Sequence, residues 1–384
     1  MDVSIRGILQ THYACYAATH GLPGYIHRAA RQLSRCRTAA MGAHFAECPH
    51  GHERHIVYHS CRHRLCPRCA ALPRERWLEV MRERLIACAH WHLIFTLPHD
   101  LHPLWRYNRT WFTQALFEAV ASTLTRLCAD ERHLGAQPGF VLALHTWGRS
   151  LALHPHIHAL ITDGGLDAAG TWRRPRRSCF LPARVVMALF RGRLCGRVRE
   201  ALERGELQLP PLCSPEHART LANRLGRVKW NVHLCERYTH GAGVMTYLAR
   251  YVRGGMLKDA QLCAAEGGRV SFRYRAHEER GTVAQLLSLE TGQFLSRYLQ
   301  HTPLPHRPTV RHYGLYANRN AATLNTARAC HAQAPCPAAH ERSRLSAEAF
   351  YLARAGGPSA ATHCTICGEA LRSVHVGPAQ PQAP

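Results

Sequence analysis

Lysine is almost missing from this 384-residue chain. Lys229 and Lys258 are the only two, so all but two of its 49 basic side chains are arginine. No Gly-x4-Gly-Lys-Ser/Thr stretch occurs, which gives no support to a fused P-loop helicase or ATPase. No apolar run approaches the length of a membrane span, and the opening MDVSIRGILQTHYACYAATHGL lacks the basic start and continuous apolar core of a secretion signal. These absences lead us to expect a soluble, cytoplasmic protein with no membrane partner. Acidic residues are scarce as well: 25 Asp and Glu leave a formal net charge of +24. That excess suits a polyanionic partner better than a small metabolite. Part of the arginine bias is what a GC-rich genome produces, but guanidinium groups also grip phosphates bidentately, and here they run along the whole chain.

Cysteine is plentiful, with 17 residues. In a reducing compartment clustered thiols indicate metal rather than disulfides. Between Ala43 and Ala70 helical periodicity gives way to Cys, His, Arg and short strand-like pieces such as RHIVYHS. Cys66-Pro-Arg-Cys69 has the spacing of half a zinc knuckle. Cys48 with His50 or His52 offers the other half, and His52 is preferred because its longer step allows a chelating turn. Cys61 is a candidate substitute ligand. Four protein ligands would close the site to water, so the expected Zn²⁺ is structural. A second pair, Cys364-x2-Cys367, lies in the tail with Cys330, Cys336 and His363 nearby, as a candidate second knuckle.

The remaining chain reads as alternating helices and strands. Helices are expected up to residue 40 with a turn at HGLPGY, over PRERWLEVMRERLIAC with Trp77, Met81, Leu85 and Cys88 as its stripe, and over 110–129. Further helices are expected over PARVVMALFRGRLCGRVREALE, around 216–227, and over GVMTYLARYV. WHLIFTLP, GFVLALHTWG, VKWNVHLCE and GRVSFRYRA read as strands. In LALHPHIHALITDGG the strand period puts His156 and His158 on one face and Ile157 on the other. The preceding strand returns through a short connection, so the two are expected to pair antiparallel and to bring His145 near that face.

Two imidazoles on one strand face can share a metal ion. Tyr247 and Tyr251, four apart in YLARY, share a helical face. A metal that withdraws charge from a scissile phosphate and a tyrosine oxygen that attacks it make a coherent chemistry. Alone, the histidine pair has a plain reading as a His-rich strand edge, and the tyrosine pair as core residues of an amphipathic helix.

Taken in order, SCRHRLCPRC, IFTLPHDL, LHTWG, HPHIHALITDGG, YLARYVRGG and RHYGL resemble the two-tyrosine HUH transposases of rolling-circle insertion sequences, over roughly residues 10 to 320. These are relatives of rolling-circle replication initiators and conjugative relaxases. The resemblance implies an α+β fold in which a central antiparallel sheet flanked by helices follows a small zinc-binding module. It implies a single-strand DNA endonuclease and strand transferase that nicks element ends through 5′-phosphotyrosine intermediates. Tyr247 and Tyr251 would be the nucleophiles, and His156 and His158 the ligands of Mg²⁺ or Mn²⁺, with His145 as candidate third ligand. Lys258, Arg250 and Arg253 are candidate DNA contacts. Single-stranded DNA, hairpin element ends and target DNA would be the partners, together with a host helicase, in the bacterial nucleoid. The expected divisions are residues 1–90 for the helical and zinc-binding module, 91–275 for the nuclease, 276–335 for its extension and 336–384 for a partly disordered tail. A replication initiator or relaxase is the nearest alternative; a non-catalytic zinc-dependent DNA-binding regulator is the alternative from another class.

Overall fold

The computed structural model describes residues 3–175, 180–239, 243–244, 255–278, 281–337, 350 and 362–375. Tyr247, Tyr251, Arg250 and Arg253 lie outside the described residues.

Two helices open the chain, α1 (Ile5–Thr19) and α2 (Gly24–Arg35). Ser4 caps α1 by accepting from the Gly7 N–H at 3.1 Å, which satisfies one of the amide groups a helix start leaves open. The strands β1 (Ala43–Glu47) and β2 (Arg54–Tyr58) and the helix α3 (Ala71–Arg84) follow. The expected stripe of α3 is cut short: Leu85 turns extended and its N–H caps the Met81 carbonyl, so Leu85 and Cys88 are buried beyond the helix.

The central sheet comes next. β3 (His90–Thr96), β4 (Gly139–Trp147) and β5 (Leu153–Thr162) are joined by a path that includes α4 (His102–Tyr107) and α5 (Arg109–Ala129). After a two-residue ribbon, β6 (Gly165–Leu166) with β7 (Trp172–Arg173), the helices α6 (Ala183–Glu203) and α7 (Pro215–Leu225) lead to β8 (Val232–Tyr238). The strands β9 (Leu262–Glu266), β10 (Arg269–Glu278) and β11 (Gly281–Glu290) precede α8 (Thr291–Leu299), β12 (Val310–Gly314) and α9 (Ala321–Ala329). Near the C-terminus lies β13 (Arg372–His375).

The five-stranded sheet runs β12-β4-β5-β3-β8, antiparallel throughout. Alternation along β5 decides what each face holds. Ile157, Ala159 and Ile161 point with Leu142, Leu144, Leu93 and Phe95 into one core, roofed by Phe112, Leu116, Val120 and Leu124 of α5 and by Val186, Phe190, Leu194 and Val198 of α6. Each of the larger buried side chains contributes about 1.5–3 kcal/mol by leaving water. The opposite face, carrying His156 and His158, continues through Leu160, Val141 and Ala143 into a second core with Leu78, Met81, Leu324 and Val244.

Two glycines let other segments approach the backbone just before β4 closely. A Cβ at Gly165 would sit 2.6 Å from the Gln137 carbonyl oxygen, and one at Gly314 would sit 1.9 Å from that of Pro138. Gly314 also takes a φ of +57°, so the glycine of RHYGL is fixed by both space and backbone.

A third core joins α1 and α2 to Cys61, Leu65, Cys66 and Cys69 and to β9, β10, β11 and α8. Buried Tyr298 of α8 donates to the Leu65 carbonyl at 2.7 Å, and Asp259 accepts from the Ile5 N–H and from Arg68. This core crosses the divisions expected at residues 90 and 275: apolar surface on the first two helices is buried by chain some 250 residues later. Within the expected tail, β13 pairs antiparallel with β1 in a three-stranded sheet, β13-β1-β2.

Candidate active site and metal centres

Antiparallel register builds the histidine cluster. His145 of β4 lies directly opposite His156 of β5, and directly opposed residues share a face. His158, two residues on, shares it as well. Ring nitrogens of His145, His156 and His158 all lie within 4.8 Å of one another, on residues that are at least nine-tenths buried.

The hydrogen bonds set the tautomers. His156 Nδ1 is 2.6 Å from the His154 carbonyl, which can only accept, so Nδ1 carries the proton and Nε2 keeps its lone pair. That Nε2 is 3.1 Å from His158 Nε2. On its other side His158 Nδ1 meets His92 Nε2 at 3.0 Å. Sequence reasoning missed His92, because WHLIFTLP reads simply as a buried strand. Its signal was there: His92 alternates in phase with Ile94, which opposes His158.

Burial keeps these rings neutral. Desolvation pushes the His156 and His92 pKa values down to about 4 and that of His158 well below its ordinary value. Neutral imidazoles are what a metal needs. Octahedral ligands at about 2.1 Å stand about 3.0 Å apart when adjacent, so the Nε2 pair fits such an ion. Trp147 stacks on His145, with ring centroids 4.5 Å apart. Beyond it a cleft is lined by Trp105, Trp147, Arg64, Arg109 and Arg307.

The cysteines assemble differently from the single expected set. Cys66 and Cys69 join Cys61 and Cys36, the residue that caps α2. Their sulfurs stand 3.4 Å (Cys36–Cys69), 3.7 Å (Cys36–Cys66) and 3.7 Å (Cys61–Cys69) apart. Tetrahedral zinc with Zn–S bonds of about 2.3 Å requires S···S edges of about 3.8 Å, so the quartet fits. Cys48 and His52 are elsewhere, with Cys364 and Cys367. The structure does not bring Cys48 and His52 to Cys66 and Cys69; Cys36, at the end of α2, stands there instead. His50 is in neither group; its backbone N–H donates to Cys48 Sγ at 3.4 Å. Lys258 is exposed and, through its backbone, starts a turn with Gln261.

Two stretches of the chain match known protein families. Residues 139–323 match the family model described as "Putative transposase", and residues 8–97 match a transposase zinc-binding domain. The protein named "Putative transposase y4qJ" from Sinorhizobium fredii (strain NBRC 101917 / NGR234) is 34% identical over 324 residues, 82% of this chain and 80% of that protein. The "Transposase for insertion sequence element IS801" from Pseudomonas savastanoi pv. phaseolicola is 33% identical over 295 residues, 75% of this chain and 69% of that protein. The chain belongs to the IS91/IS801 family of transposases. No solved structure matches it.

A transposase acts on DNA, which accounts for the net charge of +24. The match over residues 8–97 contains the whole Cys36, Cys61, Cys66 and Cys69 quartet, so this transposase carries a structural zinc module at its N-terminal end. The match over 139–323 contains β4, β5 and β12, and hence all three clustered histidines. Among the described residues no helix is long and apolar enough to cross a membrane.

Proposed function

We propose that this transposase is a metal-dependent HUH endonuclease and strand transferase that cuts single-stranded element ends through 5′-phosphotyrosine links. The observation that carries the reading is the convergence of His145, His156 and His158 on one face of an antiparallel sheet, with the Nε2 atoms of His156 and His158 facing each other. A bound Mg²⁺ or Mn²⁺ would polarise the scissile phosphate and neutralise charge as the leaving oxygen departs. Three nitrogen donors are a poor set for Mg²⁺ alone and a better one for Mn²⁺, so phosphate oxygens of the DNA complete the shell.

The nucleophiles in this reading are Tyr247 and Tyr251. Their support is the order of motifs and the position of Val244, three residues before Tyr247. Val244 is fully buried in the core that contains Val141, Ala143 and Leu160, on the histidine face of the sheet. One tyrosine attacks phosphorus, forms the P–O bond to its own oxygen, and releases the 3′-hydroxyl of the flanking strand. The second can cut again while the first end stays held. Trp147 and arginines border a pocket next to the histidine cluster, the mix of aromatic and basic surface that single-strand binding uses.

The decisive assay incubates the protein with labelled single-stranded DNA of an element end and Mn²⁺, then separates products under denaturing conditions. A protein–DNA adduct should form, vanish in EDTA, and be lost in Tyr247→Phe with Tyr251→Phe. An adduct of undiminished yield in that double variant refutes the tyrosine assignment. Retained cleavage by His156→Ala with His158→Ala refutes the metal site.

A further inference from the structure

Cys364 and Cys367 lie outside both segments that match known families, in a stretch whose periodicity has faded. The fold nevertheless carries them back across the molecule to Cys48 and His52. Cys48 Sγ is 3.5 Å from Cys367 Sγ, a pair 319 residues apart in sequence, and 3.6 Å from His52 Nδ1. Cys364 Sγ is 3.8 Å from the same His52 nitrogen. A disulfide would need its sulfurs at about 2.05 Å, so none of these is one. A tetrahedral zinc with bonds of about 2.3 Å to sulfur and 2.0–2.1 Å to nitrogen requires edges of about 3.8 Å for S···S and 3.6 Å for S···N.

Each of the two loops turns on a glycine beside its second ligand. In the first, Gly51 N–H bonds back to the Cys48 carbonyl at 2.9 Å, with φ +76° at the glycine. In the second, Gly368 N–H bonds back to the Cys364 carbonyl at 3.0 Å, also with φ +76°. Each is a tight turn that presents its ligands inward. Glu53, just after the first loop, accepts from the Thr365 N–H at 2.6 Å and from the Thr365 hydroxyl at 2.9 Å. β13 then continues the join by pairing Arg372 to His375 with Glu47 to His44.

We propose that Cys48, His52, Cys364 and Cys367 form a second, structural zinc site that fastens the C-terminal strand onto the N-terminal module. Three thiolates and one imidazole select zinc over Mg²⁺ or Mn²⁺ and leave no ligand position for water. The first quartet is complete within residues 36 to 69, whereas the second has no complete ligand set until residue 367 has been made. The site therefore acts as a late clamp, and β13 covers an edge of β1 that would otherwise be bare.

The test is the zinc content of the purified full-length chain carrying His156→Ala and His158→Ala, which removes the histidine site from the count, by native mass spectrometry and by cadmium substitution read by cadmium NMR. The expected result is two ions per chain, with one cadmium resonance in the range of four sulfur ligands and one in the range of three sulfurs and one nitrogen. Cys364→Ala with Cys367→Ala should reduce the content to one ion and remove only the mixed sulfur–nitrogen resonance. One ion in the parent chain, two resonances of the all-sulfur type, or a double variant that keeps two ions would each overturn the proposal. Should the double variant fail to fold, the parent spectrum alone still decides.

Discussion

His92 offers the sharpest perturbation of the proposed active site, because it touches the cluster without belonging to it. Its Nε2 lies 3.0 Å from His158 Nδ1, and both residues are 4% exposed. For His158 Nε2 to keep a lone pair for the metal, Nδ1 must carry the proton and donate it to His92. His92→Leu has nearly the same volume but removes this acceptor, and losing one partner of a buried hydrogen bond costs about 1–3 kcal/mol. The cheapest escape for His158 is to swap tautomers, which withdraws its lone pair from the metal. Loss of such an outer partner weakens metal affinity by about 10–100-fold. The nicking rate on labelled single-stranded DNA should therefore need about 10–100-fold more Mn²⁺ for half-saturation, and should approach the parent rate at saturating metal. His92→Gln, whose amide oxygen can accept, should restore part of the loss. An unchanged half-saturation point would refute the reasoning. A rate loss that no amount of Mn²⁺ relieves would refute it as well, since it would mean His92 acts through the fold alone.

Two further outcomes follow from burial and charge. His301 donates from Nε2 to the Leu151 carbonyl and accepts the Thr146 hydroxyl at Nδ1, each at 3.0 Å, and burial pushes its pKa down to about 4. The folded state thus binds this proton less readily than the unfolded chain, whose His titrates at about 6.5. The stabilisation is whole above about pH 6.5 and is lost as pH falls toward 4, at about 3 kcal/mol in all. Denaturant midpoints should show the parent losing about 2 kcal/mol more than His301→Leu between about pH 7 and pH 5, and equal slopes would contradict this. DNA affinity, resting on arginine–phosphate contacts, should fall at least about tenfold between roughly 50 and 200 mM salt. A flat salt response in a fluorescence-anisotropy titration would remove the electrostatic basis for binding.

What could be read from the sequence was whatever repeats locally. The alternation in LALHPHIHALIT named the buried and histidine faces of β5 before any partner was known, and a short connection made β4 its neighbour. The apolar spacing of four in 183–203 and 109–129 named the helix faces that now form the main core. Sulfur partnerships did not follow spacing. Cys48 and Cys66 read as natural halves of one site on the chain, yet Cys36 arrives from the end of α2 and Cys364 from the far terminus, and only the tertiary fold sets those distances. β11 was unreadable for a different reason. Leu289 is its one buried residue, so burial imposes no apolar period, and pairing with β10 carries the strand instead.

The two kinds of proposed metal centre would divide the labour by their chemistry. Thiolate-rich sites at the N-terminal module are closed, so any ion there can only hold chain segments together. The histidine site offers three donors, so an ion held there would keep open positions for phosphate oxygens. The distinction matters for interpreting chelator experiments. EDTA would empty the histidine site first, because neutral nitrogen donors hold Mn²⁺ or Mg²⁺ weakly, whereas thiolate-bound zinc is part of the folding free energy. Brief chelation should therefore abolish strand cleavage while leaving far-ultraviolet dichroism and DNA binding intact. Dichroism that collapses at the same chelator dose as cleavage would mean that the catalytic and structural ions are not separable in this way.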